Sequence, residues 1–398
     1  MSEYSEYFII NLYIEDRNTN INPSEISFSM VDSIYDLYSY CVIEYNDLSG
    51  LVQEYLGTLQ GTRYKLEYGT RDTLNSCTYV IQRDNLNDVD QPGYISGKDN
   101  IFAVHEWWNK QTISNIGYKD RISGVVTDLA SKYLFNLCDI NDTGNDDYWY
   151  QTNMTDAKFI KDVLVPNAFS RNSSGTPFYC FTTTNNEFHF RHADSMIHKE
   201  VAATLEYIYN PGTNDSGAVS QKNKISLIKR WSTNPNENWN LRKRKIFRIS
   251  RDTGLMEQAI TNTTSHPPKN NLDFPVIESV PILLTGVSNV KFAEDTIVGL
   301  KENVDGQDIH AYKNGFFQDH FMVMIPFDPT LHAGKSIRLK LYTKNKDNES
   351  KRFSGLYVIE QCDHIWNGEE IKGYTKLILG RKYIQIPSSY LLKPKLIQ

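Results

Sequence analysis

The chain has 398 residues, a formal net charge of −6 and 25 tyrosines. A single hydrophobic core rarely grows beyond roughly 250–300 residues, so this length predicts roughly two to four domains. The negative charge argues against a general nucleic-acid binder. No apolar run is long enough to span a bilayer, and the acidic start, MSEYSEYF, lacks the basic region of a secretory signal. Abundant tyrosine favours strands and interfaces, because its ring can be buried while its hydroxyl stays wet.

The cysteines are scattered along the chain and form no CxxC pair. Their odd number and wide spacing predict buried thiols in a reducing compartment rather than a disulfide framework. They are Cys41, Cys77, Cys138, Cys180 and Cys362.

Short apolar runs separated by turn signals fill the first hundred residues. The clearest period of two is at Ile26, Phe28 and Met30, which alternate with serines. Several short strands at this spacing indicate a barrel or sandwich, and we expect this domain to end near Asn100. The other predicted strands cover residues 7–15, 40–45, 51–55, 64–68 and 77–82.

A helix is predicted over residues 122–134. Apolar residues there recur at i, i+3, i+4 and i+7, the pattern of a helix with one buried face. Asp120 is the expected N-cap. The acidic segment 139–147 is predicted as a loop that separates this helix from the next element.

Residues 151–192 predict a helix followed by a β-hairpin. Thr155 is a good N-cap, and an apolar stripe with helical spacing follows it. Pro166 is expected to weaken or end the helix. Two aromatic runs, FYCF and FHF, then flank Asn185 and Asn186, which tolerate the backbone conformation of a tight turn.

Strand patterns return after residue 200 and are clearest near the carboxyl end. The tract 261–275 is rich in turn-forming residues and is predicted as a linker or exposed loop. Residues 344–351 are predicted as a charged hairpin tip. The predicted strands cover residues 204–209, 224–231, 243–249, 321–325, 336–342, 355–361 and 373–379.

Two motifs match known catalytic signatures only in part. Residues 332–336, HAGKS, end like a phosphate-binding loop, but Pro329 replaces the first glycine and a strand follows instead of a helix. A turn before a strand is therefore the favoured interpretation. The sequence HEWW at residues 105–108 lacks the second histidine of a metalloprotease helix. With no G-x-S-x-G motif and no cysteine–histidine signature, no catalytic residue is predicted.

Three histidines, His189, His192 and His198, lie close together in sequence, with Cys180 across the predicted hairpin. Zinc needs about four ligands in tetrahedral geometry. His189 and Cys180 lie within aromatic strands, so side-chain packing is the favoured interpretation. No metal site and no other cofactor is therefore predicted.

A basic cluster runs from Arg242 to Lys245 and continues with Arg248 and Arg251. Contact with DNA is one hypothesis for it. A solvated strand or a salt-bridged subunit interface is favoured, because alternation sends successive side chains to opposite faces and the overall charge is negative. Binding residues therefore stay unassigned.

Residues 151–192 also resemble the insert domain of tail hub proteins. This family comprises the baseplate hubs of contractile-tailed phages, the amino-terminal part of siphophage tail-associated proteins, and the VgrG spike proteins of type VI secretion. In that family, a helix start of the kind NMTD-x-x-FI leads to a hairpin of the kind F-Y-x-F…E-F-H-F-R. The corresponding segments here are residues 153–160, 178–181 and 187–191.

Further segments resemble the barrels of the same family. AGKSIRL at residues 333–339 is similar to its pG-x-x-I-x-L strand start, and SGLYVI at 354–359 is similar to its sG-x-Y-x-V strand. Residues 363–379 resemble its closing hairpin, x-H-x…g-x-Y-x-T-x-L-x-L. A weaker match is DLSGL at residues 47–51, which fits a turn of the first barrel. These matches follow the family's order over most of the chain.

The resemblance implies a mainly β fold with an α+β insert, in which two tube-type β-barrel domains accompany a helix-and-hairpin domain. The first barrel is expected at residues 1–100 and the α+β insert domain at 101–200. A connecting β segment and linker loop are expected at 201–275, and the second barrel at 276–398. The segment 201–320 matches the family least.

The same resemblance implies a structural virion protein that is not an enzyme. In such hubs, three chains form a homotrimer whose barrels make a pseudo-sixfold ring. The ring joins the sixfold tail tube to a threefold central spike or tip and encloses the channel for genome ejection. Expected partners are the tail tube or distal tail protein, the central spike or tip protein and the tape measure protein, with transient passage of DNA and no membrane insertion. The expected location is the virion tail, after assembly in the host cytoplasm.

Two alternatives stay open. Within the family, a short siphophage-type tail-associated protein has the same sequence patterns. Outside it, a carbohydrate-binding β-sandwich tail component would bind sugars through exposed aromatic side chains. A hydrolase would need a carboxylate pair facing a groove, which sequence spacing does not show.

Overall fold

The described elements are mainly strands, and the helices lie between residues 106 and 197. This arrangement confirms the prediction of a mainly β fold with an α+β insert. No helix in the described ranges is long and apolar enough to cross a membrane. The computed structural model describes residues 8–18, 22–46, 61–70, 73–85, 98–108, 110–133, 135–144, 147–170, 176–197, 201–208, 224–232, 244–249, 256–261, 277–278, 316–342 and 349–381.

The first barrel curls around a single apolar core. Its strands are β1 (Phe8–Ile14), β2 (Arg17–Asn18), β3 (Ile26–Ser33), β4 (Tyr40–Asn46), β5 (Arg63–Thr70), β6 (Leu74–Asn85) and β7 (Lys98–His105). They pair in the order β3-β4-β7-β6-β5-β1-β2, and every pair is antiparallel. Alternate side chains such as Ile10, Leu12 and Ile14 point inward, so the six longer strands all contribute to the core.

The insert combines two small sheets with short helices. A two-stranded sheet pairs β8 with β10, and a three-stranded sheet has the order β11-β12-β9, with β9 parallel to β12. One core joins both sheets to the helical segments that lie between residues 106 and 167. The elements are a 3-10 helix (Glu106–Trp108), β8 (Ile113–Asp120), α1 (Ile122–Ser131), β9 (Asn136–Ile140), β10 (Asp147–Thr155), α2 (Asp156–Phe159), a π-helical turn (Ile160–Leu164), α3 (Val165–Asn167), β11 (Phe178–Thr182), β12 (Glu187–His192) and α4 (Ala193–Ile197).

The two predicted helix starts have different outcomes. Thr155 is the N-cap of α2, as predicted, and its hydroxyl accepts a hydrogen bond from the Lys158 N–H at 3.2 Å. The prediction of Asp120 as a cap is wrong, because Arg121 occupies the N-cap position of α1 and makes no side-chain cap hydrogen bond. Instead the hydroxyl of Thr143 accepts from the Ser123 N–H at 3.0 Å, so a distant loop satisfies this helix start.

The predicted hairpin forms, but the predicted acidic loop is shorter than expected. β11 and β12 pair antiparallel, and Asn186 adopts the left-handed conformation with φ 63°. The loop prediction for residues 139–147 is wrong at both ends, because β9 runs to Ile140 and β10 begins at Asp147. Every residue of β9 is exposed or half-buried, and the strand therefore shows no alternation of buried apolar and exposed polar residues in the sequence.

The second barrel surrounds its own apolar core. Its strands pair in the order β14-β18-β21-β20-β19-β13, while β15, β16 and β17 form a separate small sheet. The two edges of this sheet meet where the Ile225 N–H donates to the Glu206 carbonyl at 3.4 Å. The strands are β13 (Val201–Ile208), β14 (Leu227–Ser232), β15 (Arg244–Ile249), β16 (Met256–Thr261), β17 (Ile277–Glu278), β18 (Asp319–Pro326), β19 (Ser336–Tyr342), β20 (Gly355–Asn367) and β21 (Lys372–Arg381).

The two barrels share one strand order. Numbered along the chain within each barrel, the six long described strands lie in the order second, third, sixth, fifth, fourth, first. The barrels differ at one pair, since β1 and β5 are antiparallel whereas β13 and β19 are parallel. The chain is therefore built on a duplicated β framework with the insert between its halves.

Backbone hydrogen bonds join the two barrels directly. β20 pairs antiparallel with β3 from Gln361 opposite Ser33 to Trp366 opposite Phe28, which makes the two barrels one continuous sheet. Trp366 and Phe327, from the second barrel, also belong to the core of the first. The two barrels are thus held by both strand pairing and shared packing.

Two of the expected domain boundaries differ from the strand pairing. β7 extends past residue 100 to His105, and β13 and β14, within the expected connecting segment 201–275, pair with strands of the second barrel. The sequence does not show this pairing, because the partners of β13 and β14 lie about a hundred residues later. The predicted strand at 51–55, the family turn at 47–51 and residues 262–275 of the predicted linker lie outside the described residues.

Candidate functional site: the junction of barrels and insert

Within the described part of the chain, a group of buried polar side chains lies where both barrels meet the insert hairpin. The turn between β11 and β12 brings Thr184 against Asp32 at the end of β3. The segment between β18 and β19 brings His332 and Ala333 to the same carboxylate. Asp32 and His332 are almost fully buried, at 0% and 1% exposure.

Asp32 is the centre of this junction. Its Oδ2 accepts from the Thr184 N–H at 3.0 Å and lies 3.2 Å from the Thr184 hydroxyl and from His332 Nδ1. Its Oδ1 accepts from the Ala333 N–H at 2.8 Å. Tyr68 of the first barrel reaches the Thr184 hydroxyl at 2.8 Å. One carboxylate therefore connects the first barrel, the insert and the second barrel.

Local charges keep Asp32 ionised despite its burial. Burial alone raises the pKa of this carboxyl group. The hydrogen bond and charge of His332 and the hydrogen bond from the Ala333 N–H outweigh burial and hold the pKa of Asp32 below its ordinary value. Ionised Asp32 is a stronger acceptor than its neutral form, so the junction is bound by charge-assisted hydrogen bonds.

His364, on β20, completes the buried group and is fully enclosed. Its Nε2 lies 3.0 Å from the Leu331 carbonyl, and its ring contacts those of Tyr68 and Phe327 at centroid distances of 5.6 Å and 5.7 Å. Burial, with the nearby His332, lowers the pKa of His364 to about 4. The imidazole is therefore neutral at pH 7 and donates to the carbonyl.

This low pKa predicts a loss of stability in acid. The unfolded chain binds a proton at His364 near pH 6.5 and the folded chain only near pH 4, so its contribution is complete above pH 6.5 and is lost as the pH falls towards 4. The difference corresponds to roughly 3 kcal/mol of unfolding free energy. The titratable groups around the ring are His332, Asp32, Asp328, Cys362 and Tyr68.

Urea unfolding of the wild type and of His364→Gln at several pH values tests this effect. Glutamine can still donate to the Leu331 carbonyl but does not titrate. We expect the variant to have a flatter dependence of unfolding free energy on pH between 6.5 and 4, whatever its stability at pH 7. An unchanged slope would show that His364 does not cause the acid sensitivity.

A second group of contacts fixes the insert to the start of β19. The buried Arg191 guanidinium donates to the Gly334 carbonyl at 2.7 Å and to the Ser195 carbonyl at 2.8 Å. The Ser336 hydroxyl donates to the Met196 carbonyl. Gly334 has a φ of +79°, and a Cβ there would meet the Phe181 ring, so only glycine fits this turn. The HAGKS segment is therefore a turn before a strand, as predicted.

The seam between β3 and β20 carries its own side-chain bonds. Ser29 donates to Asp363 at 2.6 Å, and Tyr35 donates to Glu360 at 2.6 Å. Glu360 also pairs with His320 Nδ1 at 2.7 Å. Ser29 and Asp363 lie on paired strands of different barrels, and Tyr35 follows β3 by two residues. These contacts therefore add side-chain hydrogen bonds to the backbone pairing between the barrels.

The chemistry of the junction is that of a structural joint. An aspartate paired with a histidine also occurs in nucleophilic triads. Here Asp32, His332 and His364 are each at most 1% exposed, and their hydrogen bonds go to one another, to backbone groups and to Thr184, Thr375 and the buried Cys362 thiol. Fully satisfied buried networks of this kind specify one arrangement of the packed parts.

The residues singled out in the sequence lie in different places. Cys180 is in the insert core, whereas His189 stacks on Phe181. His105, of the HEWW motif, is buried and hydrogen-bonds Asn186 at 3.0 Å. The basic residues Arg244, Lys245 and Arg248 lie on β15, while His198, Arg242, Lys243 and Arg251 are outside the described residues.

Sequence reasoning missed Asp32 as a key residue. It follows an alternating apolar strand and has no motif around it, and its partners lie 152 and 300 residues away. His364 had a signal, since it is the histidine of the family-like closing hairpin.

The fold is similar to those of two tail proteins of known structure. No protein-family model matches the chain, and no curated protein does. A tail protein from Neisseria meningitidis MC58 has a similar structure, with a TM-score of 0.53, 10% identity and coverage of 94% of this chain and 97% of its own. The 43 kDa tail protein of prophage MuSo2 from Shewanella oneidensis has a TM-score of 0.50 and 8% identity, covering 94% of this chain and 98% of its own.

These similarities extend over nearly the whole length of each chain, so they include both barrels and the insert together. The chain has the fold of these tail proteins. The family resemblance found in the sequence is thereby confirmed at the level of the fold.

Proposed function

We propose that this chain is a tail hub, a structural protein that forms a homotrimer between a sixfold tail tube and a threefold central spike or tip. The observation that carries the proposal is the pair of barrels with one strand order, joined by the β3–β20 pairing. Three such chains present six similar barrels around one axis. A ring of this kind matches sixfold symmetry on one side and threefold symmetry on the other.

The joint between the barrels supports the same proposal. A ring closes only if each chain holds its two barrels at a fixed angle. Asp32, Arg191 and the strand pairing between β3 and β20 provide such a constraint. The similar structures are described as tail proteins, which fits a place in the virion tail.

The proposed partners follow from this geometry. The ring would contact the tail tube or distal tail protein on one side and the spike or tip on the other. Its channel would hold the tape measure protein before ejection and let DNA pass during ejection. The proposed role is structural, and the burial of Asp32, His332 and His364 in the junction fits it.

Light scattering of the purified chain tests the trimer. We expect a particle mass three times the 45.9 kDa of the monomer, or a monomer that reaches that mass as concentration rises. Salt should be varied as well, so that nonspecific association of charged surfaces is recognised. Electron microscopy of the trimer is expected to show a six-lobed ring with a central pore.

A trimer without six lobes would contradict the hub geometry. A chain that stays monomeric at every concentration, forms no ring with tube or spike components and binds glycans in a screen would favour the carbohydrate-binding alternative instead.

A further inference from the structure

A second polar cluster lies at the edge of the insert sheet, away from the buried junction. β9 pairs with β12 in parallel, with Leu137 opposite Phe188 and Asp139 opposite His189. The register shifts between these two pairs, so Cys138 lies at a β-bulge. Bulges redirect a side chain out of the regular alternation, and this one places the Cys138 thiol beside β12.

On β12, Glu187 and His189 lie on the same face of the strand, because they are two residues apart. Glu187 Oε2 is 3.3 Å from His189 Nε2. One donor atom from each of Cys138, Glu187 and His189 lies within 4.8 Å of the other two. A sulfur, a nitrogen and an oxygen donor therefore converge on one point.

The imidazole of His189 is held in a fixed orientation. Its ring stacks on Phe181 with a centroid distance of 5.0 Å and an interplanar angle of 15°. Its Nδ1 is buried, makes no hydrogen bond within the described part of the chain, and lies 3.5 Å from Asp139 Oδ2. A carboxylate beside the second ring nitrogen is the usual way in which proteins orient a metal-binding histidine.

The charge of this cluster and its exposure to solvent also suit a bound cation. The cluster contributes a thiol and a carboxylate, and Arg191 lies 3.7 Å from Asp139, which offsets the second carboxylate. Cys138 is exposed and Glu187 is half-buried, so an ion from solvent can reach the donors. An ion pair of Glu187 with His189 involves two of these groups, whereas a bound cation would involve all three donors.

We propose that Cys138, Glu187 and His189 bind a divalent cation of the zinc class, with water or an external ligand in the fourth position. Zinc accepts sulfur, imidazole and carboxylate donors at bond lengths of roughly 2.0–2.3 Å. A tetrahedral site with these bonds has its donors roughly 3.3–3.8 Å apart, so the present spacing needs only small side-chain movements. The ion would tie the exposed strand β9 to the hairpin. This site does not depend on the hub proposal.

Cobalt titration of the chelator-treated full-length chain tests the site. Co²⁺ takes zinc positions, and a thiolate ligand gives it a near-ultraviolet charge-transfer band. We expect this band to appear at one equivalent and to disappear when Zn²⁺ is added. Because Cys41, Cys77, Cys180 and Cys362 are buried, the band reports on Cys138.

Variants decide whether these three residues are the ligands. Cys138→Ser is expected to abolish the band, and Glu187→Gln to weaken Zn²⁺ binding at least about 10- to 100-fold, the range seen for changes even outside the ligand set. The exposed Glu370→Gln, in the β20–β21 turn, is the matched control and should bind like the wild type. Thermal melting without metal shows that each variant is folded.

A wild-type chain that gives no thiolate band, or a Cys138→Ser variant that binds Zn²⁺ with unchanged affinity, would overturn the proposal. Loss of metal binding in the Glu370→Gln control would do so as well, because it would show that the response is not local.

Discussion

Replacement of Asp32 by alanine is expected to lower the free energy of unfolding by about 3–5 kcal/mol. The carboxylate accepts from the Thr184 and Ala333 N–H groups and pairs with His332, all in a site with no exposure. Removing it leaves two buried donors without acceptors and a histidine without its partner. Urea unfolding followed by tryptophan fluorescence measures the loss.

Two further variants make this test specific. Asp32→Asn keeps the size of the side chain but replaces Oδ2, which accepts hydrogen bonds, with an NH2 group, which donates them. This NH2 group would face the Thr184 N–H, so the variant should also be strongly destabilised. Asp36→Ala, four residues on and exposed, should change the unfolding free energy by less than about 0.5 kcal/mol. A cost below about 1 kcal/mol for Asp32→Ala would contradict the central role of this carboxylate.

Loss of Asp319 should be comparably damaging to the second barrel. Asp319 Oδ2 accepts from Arg381 Nε at 3.0 Å and Nη2 at 2.7 Å, and the guanidinium also lies over the Tyr357 ring. Asp319→Ala leaves the buried Arg381 charge without a counter-ion, which typically costs about 3–5 kcal/mol. Arg230, the other partner of Asp319, is half-exposed and can turn to water.

The double variant Asp319→Ala/Arg381→Met distinguishes a charge effect from a packing effect. Methionine removes the unpaired charge and keeps the apolar contact with Tyr357, so we expect it to recover most of the lost stability. Asp16→Asn, which breaks an exposed pair with Arg63, should have almost no effect. If the double variant is as unstable as the single one, the damage comes from lost packing and not from the buried charge.

Local structure could be predicted from the sequence wherever one segment carried its own pattern. β19 occupies residues 336–342, as predicted, because its apolar residues alternate along a single strand. Thr155 and the Asn185–Asn186 turn were also found, since cap and turn residues act on their neighbours. Each of these signals lies within a few residues of its structural effect.

Pairing between distant segments could not be predicted in the same way. β9 is mostly exposed and gave no alternation, so its parallel pairing with β12 and the resulting position of Cys138 were missed. β13 was found as a strand, but its partner β19 begins more than a hundred residues later. The buried network around Asp32 was missed for the same reason, because separation along the chain says nothing about which strands meet.

The pairing of β20 with β3 also has a consequence for how the chain folds. Contacts such as Ser29 with Asp363 span 334 residues, so this edge of the first barrel finds its partner only after the ribosome has made residue 367. Until then β3 is an open edge strand, which can pair with other chains. Long-range strand pairing of this kind is slow and exposes intermediates to aggregation. β20, which is synthesised late, therefore covers the open edge of β3, which is synthesised early.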